Sequence, residues 1–275
     1  MCSSDLLGSS TAAILQTIKG IVKRLQGLEN AADELSQWQE IQTAAESIPQ
    51  DAKAGELLTV LKQGFSLMKK TGAKQKAVIF TESVETQKML QNLLSDRYRT
   101  LAYNGSADYS VIRQFKEDGE VLISTDNGAK GFNLEEAAFI IHYDLPYNTL
   151  KLEQRIDRCH RLGQENDVLS VAFIDKNNFA DVRKLELVNK RMLVTDGVFG
   201  ITDDVLGGFT DDVKAAFPVI AQRLRPRAQI EQAYRQTLST HEEDNRQTVS
   251  AAEDILFTTF TKELADKVKI NPKYV

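Results

Sequence analysis

Nowhere in these 275 residues is a glycine followed by a lysine. The phosphate-cradling loop G-x-x-x-x-G-K-[S/T] therefore cannot occur at any position. A carboxylate pair able to hold magnesium after a buried strand is also lacking: Asp33–Glu34, in "AADELSQW", sits in a polar helical stretch and reads as surface. Cysteine is scarce, with only Cys2 and Cys159. That excludes a disulfide framework and metal-ligand spacing, and fits a reducing compartment. His142 has no second histidine or cysteine at metal spacing and reads as a strand-end residue. No apolar run reaches the length of a membrane span, and no signal-peptide pattern opens the chain. Positive charge is not in excess either. The net charge of −5 argues against a free-standing electrostatic nucleic-acid binder, while leaving room for a local basic groove.

What is present is a globular composition, 42% hydrophobic and 27% charged, enough for one substantial core plus an appendage or for two small domains. Residues 11–46 favour helix, with Ile14, Ile18, Ile21, Val22 and Leu25 at helical spacing. Trp38 on this stretch reads as core. A second helix is expected over 55–73, with Gly72 as its C-cap. From residue 76 the rhythm changes. "KAVIF", "RTLAY", "EVLIST", "AAFIIHY" and "DVLSVAFI" read as strands, alternating with helices expected over 84–97, 108–119, 149–162 and 178–194. Apolar strands alternating with helices predict an α/β fold with a parallel sheet covered on both faces. From about 200 onward the chain reads as helix, after a Gly-rich connection.

The segment "QRIDRCHRLGQ" (154–164) carries Arg155, Arg158 and Arg161. On a helical wheel Leu152, Ile156 and Cys159 form one stripe, expected to pack on the sheet. Gln154, Arg158 and Arg161 form a second stripe nearly opposite, and Arg155 falls between them. Two guanidiniums presented together suit phosphate oxygens and the charge on a transferring phosphoryl group. A solvated basic face would carry the same residues.

This segment fits Q-x-I-D-R-x-H-R-x-G-Q and resembles motif VI of the Swi/Snf-type DNA translocases within superfamily 2. "VLISTDNGAKGFNLEEAAFIIHYDLPYN" (121–148) is similar to motif V and the strand after it, and "KAVIFTES" (76–83) to motif IV. The resemblance implies a RecA-like C-terminal helicase lobe, with helical segments flanking the sheet on both sides. It implies that Arg158 and Arg161 act as arginine fingers on ATP, with Arg155 in structural pairing. Gly131 and Asn133 would lie near the nucleotide's ribose and phosphates, Gln154 would join the nucleotide face, and Asp126 would couple the two sites. Ser124 and Thr125 would touch the DNA backbone. Thr81 and Ser83 stand at a strand edge where hydroxyls could bond phosphates, though strand termination and N-capping by Ser83 explain them equally well. Asn104 and Gly105 could approach DNA or simply make a turn. The loop "NGAK" departs from the R-A-G-G frequent in the family, which leaves its individual contacts open.

The resulting organisation is a helical segment over 7–75, a RecA-like lobe over 76–195, and a helical C-terminal extension over 196–275. Residues 1–6, "MCSSDL", match the translation of a sequencing-library adapter and are set apart from the fold. An N-terminal lobe holding most of the ATP and Mg2+ would then belong upstream, and this stretch alone would not hydrolyse ATP. The expected partner is double-stranded DNA, with no membrane, in a bacterial cytoplasm at the nucleoid. A non-catalytic nucleic-acid or protein interaction module derived from such a lobe is the alternative from another class. An RNA helicase lobe is a third reading, disfavoured by the D-R-x-H-R form of the motif.

Overall fold

The computed structural model describes residues 10–28, 30–48, 52–105, 108–126, 132–174, 178, 181–184, 219–224, 226 and 228–229. The adapter-like 1–6, Gly131 and nearly all of the expected 178–194 helix and C-terminal extension lie outside them. Contacts divide the chain into two units, Met1–Arg227 and Ala228–Val275. Every element below belongs to the first.

The 11–46 stretch forms two helices, α1 (Thr11–Leu25) and α2 (Ala32–Glu46). Ser10 caps α1, its side chain accepting from Ala13 N at 3.2 Å. Ile18 and Val22 of α1 pack against Ala45, Leu35 and Trp38 of α2. The Ser10 hydroxyl meets the Thr86 hydroxyl at 2.7 Å, joining this pair to the lobe.

The lobe itself runs through α3 (Ala52–Thr71), β1 (Ala77–Thr81), α4 (Val84–Leu94), β2 (Thr100–Tyr103), α5 (Ser110–Glu117), β3 (Val121–Thr125), β4 (Phe139–His142), α6 (Thr149–Cys159), β5 (Val168–Phe173) and β6 (Val219–Leu224). Helix α3 ends at Gly72, whose φ of 78° is the left-handed value a glycine adopts freely. The strands form one sheet in the order β2-β3-β1-β4-β5-β6. The first five are mutually parallel, and β6 pairs antiparallel with β5. That last strand corrects the all-helical reading beyond residue 200. An edge strand of six residues gains its ladder from a partner distant in sequence, which local periodicity does not register.

Strand alternation sorts the core into two layers. Ala77, Ile79, Val121, Ile123, Phe139 and Ile141 face α3 and α4, meeting Leu57, Val60, Leu61, Phe65, Leu90 and Leu94. Val78, Phe80, Leu122 and Ile140 face the other side, with Ile112 and Phe115 of α5 and Leu152, Ile156 and Cys159 of α6. Burying each such side chain contributes about 1.5–3 kcal/mol. The parallel α/β sheet covered on both faces is therefore as expected. Helix α3 belongs inside that core, so the lobe's packing begins near residue 52 rather than at 76.

Candidate functional site

Strands β1, β3 and β4 end side by side at Thr81, Thr125 and His142. In open parallel sheets this carboxyl edge is where ligands collect. Here it holds a buried ionic network centred on Asp144, whose side chain is 4% exposed. Its Oδ2 accepts from Thr81 Oγ1 at 2.5 Å and from Glu82 N at 3.0 Å. Its Oδ1 faces Lys53 Nζ of α3 at 3.3 Å, and that ammonium lies 4.4 Å from the centre of the Tyr143 ring.

Arg155 of α6 completes the network. It is 1% exposed and lies over the Phe80 ring. NH1 donates to the Asp144 carbonyl at 2.7 Å, Nε donates to Asp126 Oδ1 at 2.7 Å, and NH2 stands 2.5 Å from the same oxygen. Lys151 adds a second cation to Asp126 at 3.2 Å. One buried guanidinium thus ties the turn after β3, the turn after β4 and helix α6 together. Burial pushes the neighbouring Glu82 carboxyl above its ordinary range. The Arg155 charge opposes that rise, while Asp126 and Asp144 add to it.

This network absorbs several residues assigned elsewhere by sequence. Asp126, expected to couple the two sites, is paired with Arg155 and Lys151. The edge hydroxyls are engaged inside the protein. Thr81 is fully buried and donates to Asp144. Ser83 caps α4, accepting from Glu85 N and Thr86 N at 3.2 and 3.3 Å. Ser124 is fully buried and bonds the Thr125 carbonyl, and Thr125 is buried beside it. For Thr81 and Ser83 the strand-end and capping alternatives are what the geometry displays. Gly105 is exposed at this edge with φ 86°, and Asn104 precedes it, half-buried. His142 is buried, bonds Ser170 Oγ at 3.1 Å and stacks on Phe80.

The second group lies where α6 ends. The helix expected to reach 162 stops at Cys159. Leu134 N donates to the Arg158 carbonyl at 2.8 Å, which takes an acceptor the next helical turn would need. Leu152, Ile156 and Cys159 are buried as the wheel required, but Arg161 is off the helix, so its alignment with Gln154 and Arg158 is corrected. Arg161 reaches Asn133 instead, its NH1 donating to Oδ1. Two residues expected at the nucleotide are therefore brought together, by the turn rather than by a helical stripe. Arg158 is half-buried. Its Nε is enclosed and has no hydrogen bond among the described residues. Gln154 is exposed. An enclosed guanidinium donor without an acceptor is a group that an anionic oxygen would satisfy.

The helicase conserved C-terminal domain matches residues 56–163. Over these residues the chain belongs with the helicase C-terminal domains of superfamily 2. An uncharacterized ATP-dependent helicase of Bacillus subtilis, YqhH, is 32% identical over 204 residues, covering 72% of this chain and 34% of the relative. The helicase swr1 of Aspergillus fumigatus is 30% identical over 148 residues, 50% of this chain and 8% of the relative. The chain spans about a third or less of the length of these relatives. The solved C-terminal part of the Fun30 ATPase domain aligns over 50% of this chain and 45% of its own, at 27% identity and a TM-score of 0.44. The match starting at residue 56 also includes α3, in keeping with that helix's place in the core.

Two residues of this architecture were not expected from sequence: Lys53 and Asp144, which meet across 91 positions. No local pattern signals a pair so separated. Gln164, inside the arginine segment, was legible as part of the motif but without a task.

Proposed function

We propose that this lobe works within an ATP-dependent double-stranded DNA translocase, with an N-terminal lobe of the same protein holding most of the nucleotide. Arg158 and Arg161 are the arginine fingers. The observation that carries this reading is the α6 terminus, where Arg161 is held against Asn133 and the enclosed Arg158 Nε awaits an acceptor. Two guanidiniums and an amide form a donor set that fits the phosphates of ATP, which when bound supplies the phosphoryl group and its energy. Magnesium, which the resemblance implies as ATP's counter-ion, is assigned with the nucleotide to the N-terminal lobe. The D-R-x-H-R form of the segment favours DNA over RNA. Contacts at the carboxyl edge would be made to phosphates, making affinity salt-sensitive and tolerant of sequence. The place of action would be the bacterial cytoplasm, on chromosomal DNA.

The test uses the protein in which both lobes are joined. Arg158→Ala and Arg161→Ala should each lower DNA-stimulated ATP hydrolysis by about 10³-fold or more, with duplex-DNA affinity at fixed salt unchanged. Unaltered turnover in both variants would reject the finger roles. Stimulation by single-stranded RNA but not by duplex DNA would point to an RNA helicase. DNA binding with no nucleotide turnover in the wild type would point to a non-catalytic module.

A further inference from the structure

We propose that Gln164 is a positioning residue that holds Arg161 and Asn133 in one frame; the inference rests on the finger reading above. The chain leaves α6 at Cys159 and turns through Arg161–Gly163 before Gln164. Gly163 takes φ 108°, a conformation other residues rarely adopt, and nothing stands within 4 Å of where its Cβ would lie. Conformation, not space, is what the turn requires of it. That turn aims the Gln164 side chain inward, to 4% exposure.

The buried amide is engaged at both ends. Nε2 donates to the carbonyl of Glu135 at 2.7 Å and of Ala137 at 3.3 Å, with the Cys159 carbonyl at 3.5 Å. Oε1 accepts from Asn166 N at 3.0 Å, and the backbone N of Gln164 donates to the Arg161 carbonyl at 3.1 Å. Gln164 therefore fastens the strap 135–137 to the end of α6. On the other flank, Leu134 N donates to the Arg158 carbonyl. Asn133 lies next to this doubly fastened strap, and its Oδ1 receives Arg161. A long guanidinium on a turn has several rotamers, so its aim depends on the backbone beneath it and the acceptor in front of it. Gln164 sets both. No other side chain of similar size can donate two hydrogens to carbonyls while accepting a third: a glutamate offers only acceptors, and a methionine offers no donor and only a weak acceptor.

Gln164→Glu and the near-isosteric Gln164→Met test this. In the full chain, hydrogen exchange at Leu134 and Gln164 should accelerate by about tenfold or more, while the amides of β1 and β3 keep their protection. Equal acceleration in all strands, or none anywhere, overturns the inference. In the two-lobed protein, kcat for DNA-stimulated ATP hydrolysis should fall by about tenfold or more, with KM for ATP and duplex-DNA affinity within about twofold of wild type. Unchanged kcat in both variants beside an inactive Arg161→Ala overturns the positioning role alone. Unchanged kcat in Arg161→Ala itself overturns the finger reading on which it rests.

Discussion

Arg155, Arg158 and Arg161 are the same residue type within seven positions, yet they occupy three different environments. Arg155 is sealed under Phe80 with Asp126 and the Asp144 carbonyl, Arg158 is half-enclosed, and Arg161 sits on a turn. The pair Lys53–Asp144 is buried on both sides, so its weight lies less in its attraction than in what removal leaves behind. Asp144→Ala removes the carboxylate from a buried ammonium and takes the acceptor from Thr81 and Glu82. A loss of about 3–5 kcal/mol is expected from urea unfolding. His142 contributes a pH dependence. Burial, with the Arg155 charge in support, holds its pKa well below the ordinary 6.5. The folded protein keeps it neutral, whereas the unfolded chain takes up a proton once the pH drops below about 6.5. Its stabilising contribution is therefore complete above that pH and declines as the pH falls towards the folded-state value. Urea midpoints measured between pH 8 and 5 should show this decline, and His142→Gln should flatten it.

Helices here are decided by what they pack on. Gly64 lies in the interior of α3, where alanine would ordinarily improve helix propensity by up to about 1 kcal/mol. A Cβ at that position would run into the Phe139 ring, meeting Cε1, Cζ and Cδ1. Both ring and helix are locked in the core, and overpacking costs about 1–3 kcal/mol. Gly64→Ala should therefore destabilise on balance, as a lower thermal midpoint; a gain in stability would show that α3 can slide. Helix α6 makes the same point at its end. Its apolar stripe was readable from local pattern, and the structure adds its N-cap, Asn148 accepting from Leu150 N at 3.0 Å. Its termination at Cys159 was not readable, because the residues that take its last carbonyls come from the 134–137 segment and from Gln164 beyond the turn.

Over the whole lobe, the core does not respect a boundary at residue 76. Leu57, Val60, Leu61, Phe65 and Met68 of α3 all belong to the layer on one face of the sheet. Their burial contributes together about 7–15 kcal/mol, comparable with the total stability of about 5–15 kcal/mol usual for a domain. A fragment beginning at residue 76 should lack a cooperative unfolding transition, whereas one beginning at residue 50 should retain it. Circular dichroism followed against urea distinguishes the two, and cooperative unfolding of the shorter fragment would show α3 to be dispensable.

Alternating apolar strands and helices were enough to establish the parallel α/β sheet, because period-two and period-3.6 patterns are local and each strand carries its own. The arginine segment, with its neighbouring strand-and-loop motifs, was likewise legible as a helicase lobe from residue types at short spacing. Tertiary structure alone decided the rest. It engaged Thr81 and Asp126 inside the protein, paired Lys53 with Asp144, moved Arg161 from a helical face to a turn, added β6, and gave Gln164 the carbonyls of Glu135 and Ala137. Each of these depends on contacts between segments tens of residues apart. Buried polar groups must find partners wherever the fold brings them, and that meeting is a property of the packed chain rather than of any window along it.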